Sequence, residues 1–136
     1  MRYMLLIYTN ERDRETRSPE QAEVIKNQHW AVIDETSRRG ILKGVEPLHP
    51  TSTATTVRVQ DGRVLATDGP YAETKEQLAG YYILDCKDLD EAISWAAKIP
   101  TSCGGSRGCI EVRPIQDLPA RTSVNAEAQP AVGLHG

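Results

Sequence analysis

Long apolar runs and an excess of positive charge are both missing from this chain. No run approaches the roughly 18 apolar residues that a membrane span needs. The first residues also lack the longer apolar region and small-residue cleavage site of a signal peptide, so we expect a cytoplasmic protein. A net charge of −3 argues against a broad surface for nucleic acid or anionic lipid. Neither nucleic acid nor a membrane is therefore expected as a partner.

Cysteine is scarce and lacks metal-binding spacing. Cys86, Cys103 and Cys109 make an odd count without a secretion signal, which predicts reduced thiols. Cys103 and Cys109 flank the sequence GGSRG, and could close a small loop as a disulfide or supply two metal ligands. However, the chain has no CxxC pair with a neighbouring His, and its glycines do not form a phosphate loop. We therefore predict no metal and no cofactor.

The 136 residues fit one compact domain whose first half reads as strand, helix and strand. Residues 3–9 are apolar on both alternating sets, as in a central strand. Ser18, Pro19 and Glu20 combine an N-cap, a first-turn proline and an acidic residue, which predicts a helix that ends at Gly40. Residues 41–48 can form a short strand near a sheet edge.

The second half begins with a hairpin. Asp61 and Gly62 favour a two-residue type I′ turn, so residues 54–60 and 63–67 should pair. A strand at residues 78–86 follows, and then a second helix that begins after an N-cap at Asp88. Residues 109–115 form the last predicted strand. The apolar stripe predicted for the second helix comprises Leu89, Ala92, Ile93, Ala96 and Ile99.

The resulting order, β-α-β, hairpin, β-α-β, predicts an α+β domain over residues 1–115. It is typical of the ferredoxin-like split β-α-β arrangement, with two helices on one face of an antiparallel sheet and the hairpin added. The other apolar sheet face needs a cover, which a second copy would supply, so we expect a homodimer. Residues 116–136 have no amphipathic period and are predicted to be a flexible tail.

His29 is the most informative candidate for chemistry. It lies within the apolar arc of the first predicted helix, so its imidazole should face the sheet. A partly buried histidine can act as a general acid or base near neutral pH. The alternative is a structural histidine that forms a hydrogen bond with the backbone.

The other candidates surround the sequence TDGPYAETKEQLAGYY. Asp68 ends a predicted strand and could enter a cleft or accept turn hydrogen bonds, and Glu73 could face a ligand or be a solvated charge. Tyr71, Tyr81 and Tyr82 supply hydroxyl groups. Because strand residues alternate, only one of Tyr81 and Tyr82 can face a given pocket.

This block, continued through ILDCKDLDEAISWAAKIP and taken with the opening RYMLLIY and closing IEVRPI, resembles the DGPF-type branch of the YCII-related family over residues 2–115. The resemblance implies a dimeric α+β barrel with a ferredoxin-like protomer, similar to muconolactone isomerase. It also implies a His–Asp pair in a cleft, since such a pair has been suggested for the broader family. Its enzymatic members are lyases or dehydrochlorinases that act on chlorinated or hydroxylated ring-derived compounds.

Carried onto this chain, the resemblance places His29 at the family histidine. The acidic residue that often precedes the proline after the second helix is Ile99 here, so Asp68 is taken as the partner of His29. The usual Phe of the motif is Tyr71, in a chain that has no Phe.

These readings predict a cofactor-independent acid–base lyase or isomerase that acts on a small organic acid or cyclic compound. His29 moves the proton and Asp68 orients the imidazole, while Tyr71, Glu73 and Tyr81 bind the small-molecule substrate. A non-catalytic ligand-binding or regulatory module, linked to a sigma-factor system, is the alternative, and a purely structural dimer is the third.

Overall fold

The computed structural model describes residues 1–101 and 107–121. Within these residues the chain forms a 3₁₀ turn at Thr51–Thr53, three α-helices and six strands. The helices are α1 (Glu11–Thr16), α2 (Pro19–Arg38) and α3 (Leu89–Ala96). The strands are β1 (Arg2–Thr9), β2 (Leu42–Pro47), β3 (Thr55–Gln60), β4 (Arg63–Asp68), β5 (Gln77–Asp85) and β6 (Cys109–Pro114).

Four strands form one antiparallel sheet in the order β2-β5-β1-β6. The two central strands, β1 and β5, are far apart in the chain, and each also pairs with one edge strand. This is the strand order of the ferredoxin-like split β-α-β arrangement. The predicted α+β fold is therefore confirmed.

One face of this sheet carries the core. Tyr3, Leu5 and Ile7 on β1 are buried, as are Tyr82 and Leu84 on β5. The two longer helices add buried residues to the same cluster, including Val32, Ala92 and Trp95. The predicted packing of two helices on one face is therefore confirmed. Intervening strand residues point to the opposite face and are only partly buried; they include Met4, Leu6, Tyr8, Tyr81 and Ile83.

Helix α2 begins and ends at the predicted signals. The Ser18 hydroxyl accepts a hydrogen bond from the Gln21 backbone, and the Gln21 side chain accepts one from the Ser18 backbone, which forms a capping box. Gly40, with φ of 73°, follows the last turn, and Ile41 N–H donates to the Thr36 carbonyl. This is a Schellman ending, which favours glycine.

Helix α1 was not predicted. Its sequence, ERDRET, has no apolar stripe, and none of its residues is buried. Polar contacts hold it instead. The Glu11 carboxylate accepts hydrogen bonds from the Thr51 backbone at 2.8 Å and hydroxyl at 2.9 Å, and Glu11 N–H donates to the Gln77 side chain at 3.0 Å. These partners lie far away in the chain, so local periodicity carries no sign of them.

Helix α3 buries a different stripe from the one predicted. Ala92 and Ile99 belong to the core, but Leu89 and Ile93 are about half exposed. Trp95, which the prediction omitted, is buried. Its ring also contacts two cations, with Arg39 Cζ 5.3 Å and Lys98 Nζ 4.5 Å from the ring centroid. The large indole therefore sets the rotation of this helix against the sheet.

The predicted hairpin is present as a separate two-stranded sheet, β3-β4. Asp61 and Gly62 both have positive φ, as a type I′ turn requires. Gly69, with φ of 97°, follows the hairpin, and its N–H donates to the Ala54 carbonyl at 2.7 Å. Most of the hairpin is exposed on both sides, including Val57, Val59, Val64 and Leu65.

The sequence also predicted that no segment spans a membrane and that residues 116–136 form a tail. Within residues 1–101 and 107–121, no helix is long and apolar enough to cross a membrane. Asp117, at the start of the predicted tail, accepts a hydrogen bond from Arg2 at 3.2 Å. Most of that tail, residues 122–136, lies outside the described part of the chain.

Candidate functional site

A pocket of about 800 Å³ opens between α1, the first half of α2 and the β2-β5-β1 part of the sheet. It exists because the two halves of α2 differ. Val32 and Thr36, near the end of the helix, are buried against the sheet, whereas Ile25 and His29 are only partly buried and line the pocket. The pocket therefore lies between this helix and the sheet.

His29 and Tyr82 meet inside this pocket. His29 Nδ1 lies 2.8 Å from the Tyr82 hydroxyl oxygen, which is a hydrogen-bond distance. The two rings are nearly parallel, with an interplanar angle of 14° and centroids 6.0 Å apart. Tyr82 is brought there by strand register, since it pairs with Leu5 on β1 and Val45 on β2 and shares their face of the sheet.

Burial favours the neutral form of both groups. It lowers the pKa of His29 from its ordinary value, and the positive charge of Arg17 lowers it further. Burial also raises the pKa of Tyr82 to about 12. At neutral pH the pair therefore consists of an uncharged imidazole and a protonated phenol.

Charged residues cluster around the α1 side of the pocket. Its lining includes four basic residues, Arg14, Arg17, Lys26 and Arg107, and two acidic ones, Asp13 and Glu46. Arg107 pairs with Asp13, and Lys26 pairs with Glu23 on the same helix at 2.9 Å. The wall facing the ligand space thus has an excess of positive charge.

The proposed partner of His29, Asp68, is not brought to it within this chain. Asp68 is the exposed last residue of β4, where it pairs with Thr55, and it does not line the pocket. The His29–Asp68 contact stays a prediction, since within the single chain the imidazole contacts Tyr82 instead. The physical reason is that β4 belongs to the separate hairpin sheet and not to the sheet under α2.

The three predicted substrate-binding residues are separated. Tyr81 is in the pocket wall, but alternation along β5 directs its ring to the face opposite Tyr82. Tyr71 is 82% exposed, and Glu73 is also exposed. Neither of these two lines the pocket.

The segment that contains Tyr71 and Glu73 supports the pocket through its later residues. The Glu76 carboxylate accepts a hydrogen bond from Gly108 N–H at 2.9 Å, which ties the segment to the start of β6. The Lys75 carbonyl accepts one from Asn10 at 3.2 Å, just before α1, and the Gln77 side chain accepts one from Glu11. This part of the motif therefore fixes α1, which forms one wall of the site.

The sequence left Tyr82 as one of two alternatives with Tyr81, and it did not single out Arg17. For Tyr82, the signal was incomplete, because both alternating sets of β1 are apolar and do not reveal which set of β5 faces the helices. Arg17 precedes the N-cap Ser18, and its entry into the pocket depends on α1, which has no apolar period. Neither position could be assigned without the tertiary arrangement.

Among the described residues, no group of three His, Cys, Asp or Glu side chains is close enough to hold a metal ion. Cys86 is buried, and burial raises the pKa of its thiol to about 11. Cys109 is exposed, while Cys103 lies outside the described residues, as do residues 104–106 that follow it.

Comparison with known proteins identifies a family and a relative. The model of the YCII-related domain matches residues 1–119. A protein of Rhizobium meliloti (strain 1021), described only as uncharacterized, is 39% identical over 115 residues. The match covers 85% of this chain and 92% of that protein.

Proposed function

The chain belongs to the YCII-related family, and from that premise we propose that it is a small cytoplasmic homodimeric enzyme of the lyase or isomerase type. Its substrate is a small organic acid or cyclic compound, and its reaction is cofactor-independent proton transfer next to a carbonyl group. The observation that carries this proposal is the His29–Tyr82 pair in the pocket, with Nδ1 and the phenol oxygen 2.8 Å apart.

In this mechanism His29 is the general base. When Nδ1–H donates to the Tyr82 oxygen, the lone pair of the neutral imidazole is on Nε2. Nε2 removes a proton from the carbon next to the carbonyl; the electron pair of that C–H bond forms a C=C bond, and the π pair of the carbonyl moves to its oxygen to give an enolate. The lowered pKa of His29 keeps the base unprotonated at neutral pH.

The imidazolium then returns its proton. Delivery to a different carbon gives an isomerised product, whereas delivery to a departing group completes an elimination. Throughout the cycle Nδ1–H can stay hydrogen-bonded to Tyr82, whose pKa of about 12 keeps the phenol protonated. Tyr82 is therefore a positioning residue that sets the tautomer and orientation of His29.

The opposite sheet face supports the homodimer. Leu6 and Tyr8 on β1 and Tyr81 and Ile83 on β5 alternate with buried core residues, yet they are only partly buried in the single chain. A contiguous apolar face of this kind is stabilised when a second copy removes it from water. Packing sheet against sheet would produce the α+β barrel.

A non-catalytic ligand-binding or regulatory module is the second candidate. It is favoured by the hydrogen bond of His29, because among the described residues the imidazole is paired with the Tyr82 hydroxyl and not with a carboxylate. A neutral His–Tyr pair can bind a polar ligand group without transferring a proton.

A two-stage experiment separates the two candidates. A thermal-shift screen of small organic acids and phenolic compounds identifies ligands, because a ligand that binds only the folded state raises its melting temperature. Each hit is then incubated with the protein in D₂O and followed by proton NMR. The enzyme proposal expects loss of a C–H signal next to the carbonyl, while a binding module stabilises the protein without any exchange above the rate in buffer.

A further inference from the structure

We propose that Arg17 anchors a carboxylate of the ligand, so that the pocket selects amphipathic monocarboxylates over neutral ring compounds. This inference deepens the proposed function, because it names the substrate class for the same pocket. It rests on three features of the site: the free guanidinium of Arg17, the partners that the other basic residues of the lining already have, and the apolar residues in the same lining.

Arg17 is held in place by its backbone. Its N–H donates to the Asp13 carbonyl at 3.1 Å, which closes α1, and the next residue, Ser18, is the N-cap of α2. Arg17 is partly buried and lines the pocket, and it lies close enough to His29 for its charge to lower the pKa of the imidazole. The charge is therefore directed at the place where the chemistry is proposed.

Within residues 1–101 and 107–121, the guanidinium of Arg17 forms no ion pair and no side-chain hydrogen bond. The other basic residues of the lining have partners. Arg107 pairs with Asp13, Lys26 pairs with Glu23, and Arg14 donates to the Leu48 carbonyl at 3.5 Å. An arginine fork matches the two oxygens of a carboxylate, so Arg17 is the residue best suited to receive one.

The remaining lining requires an apolar body on the same ligand. Ile25 and Ile33 on α2 and Val45 on β2 contribute aliphatic surface, and the half-exposed Trp30 contributes an aromatic ring. Apolar surface of this kind favours ligands that carry a hydrocarbon or ring next to the acid group. A carboxylate with no apolar body would use Arg17 alone and bind weakly.

Matched neutral and anionic probes test the inference. Benzoate and benzamide have the same ring and similar size, but only benzoate carries a charge, and acetate carries the charge without the ring. Calorimetry should give the wild-type protein a roughly tenfold or greater preference for benzoate over benzamide, since hydrogen bonds to charged groups are the stronger ones. Acetate should bind more weakly than benzoate.

Variants of Arg17 assign the preference to this residue. Arg17→Gln should remove the preference for benzoate, and Arg17→Lys should restore part of it, because lysine keeps the charge without the fork. Arg58→Gln on the exposed hairpin is the control and should leave the preference unchanged. Circular dichroism and melting temperature establish that each variant is folded.

Equal binding of benzoate and benzamide by the wild type, no binding of benzoate at its highest soluble concentration, or an acid preference that survives in Arg17→Gln would each overturn the inference. Repeating the comparison in His29→Gln separates it from catalysis. If the wild-type protein shows no exchange activity with any hit, the enzymatic proposal fails. An acid preference that is nevertheless present in the wild type and persists in His29→Gln would still identify Arg17 as a carboxylate anchor.

Discussion

Full burial of Tyr82 and partial burial of His29 give this pair of side chains its chemical character. The same desolvation that lowers the pKa of the imidazole raises the pKa of the phenol. The two pKa values therefore move apart, and both groups are neutral at neutral pH. A hydrogen bond between neutral partners fixes orientation without introducing a buried charge. At the scale of the residue, the imidazole is therefore unprotonated at neutral pH.

The first prediction concerns the titration of His29. Its pKa in the folded protein should lie below the ordinary value of 6.5, and Arg17→Gln should raise it part of the way back, because burial remains while the neighbouring charge is lost. Proton–nitrogen NMR of the imidazole measures both values. A His29 pKa at or above 6.5 in the wild type would contradict the assigned burial.

The sign of the stability effect follows from the same shift. Because the folded-state pKa of His29 is lowered, the unfolded chain binds more protons between the two pKa values. The contribution of His29 to the free energy of unfolding is therefore fully present above its unfolded pKa of about 6.5, and it is lost as the pH falls toward its folded pKa. Melting temperatures of wild type and His29→Gln should diverge in this window, with the wild type losing more stability than the variant.

At the scale of the element, β2 and β5 approach each other closely at one glycine. A Cβ atom on Gly80 would lie 2.6 Å from the Glu46 carbonyl oxygen and 3.1 Å from Pro47 Cα. Both contacts are with backbone, which cannot rotate away as a side chain can. The position therefore sets the distance of β2 from the centre of the sheet and the width of the pocket beside it.

Gly80→Ala should accordingly destabilise the protein by about 1–3 kcal/mol, the usual range for overpacking. Gly44→Ala on the neighbouring strand is the matched control, because its Cβ would meet Ile83 Cδ1 at 3.4 Å, an ordinary contact. Urea unfolding of both variants gives the comparison. A loss at Gly44 as large as that at Gly80 would mean that any added methyl group is harmful here.

The elements also differ in how far the sequence could predict them. The hairpin and α2 were predictable because their turns and caps are local: Asp61 and Gly62 have the expected positive φ, and Ser18 forms the expected capping box. Helix α1 was not predictable because its support comes from Thr51 and Gln77, which are distant in the chain.

In the candidate site, too, the sequence predicted what depends on local signals and not what depends on distant contacts. The placement of His29 in the pocket followed from the helical period alone. Its partner did not, because choosing Tyr82 over Asp68 required knowing which face of β5 lies under α2 and that β4 belongs to another sheet. A motif can identify a segment, but the direction of each side chain depends on strand register.

At the scale of the whole molecule, the two faces of the four-stranded sheet have unequal cover. One face carries the core with α2 and α3, and the other presents partly buried apolar residues of β1 and β5. The proposed second copy would cover this face. Its burial would then contribute to the stability of each protomer, so that association and folding are linked.

Leu6→Arg tests that proposal. Leu6 lies on the second sheet face, between Tyr81 and Glu111 of the neighbouring strands, and a buried guanidinium there would disfavour association. Light scattering after gel filtration should report a dimer for the wild type and a monomer for the variant. Val24→Arg, at an exposed apolar residue of α2, is the control and should remain dimeric. A monomeric wild type would contradict the proposed assembly.

The central claim is that His29 moves a proton, and hydrogen–deuterium exchange at carbon tests it most directly. For the organic acid that gives the fastest exchange in D₂O, His29→Gln should slow the exchange by at least about a hundredfold, the lower range for a general base. His49→Gln, at an exposed histidine outside the pocket, should exchange at the wild-type rate. Exchange by folded His29→Gln at the wild-type rate would contradict the account.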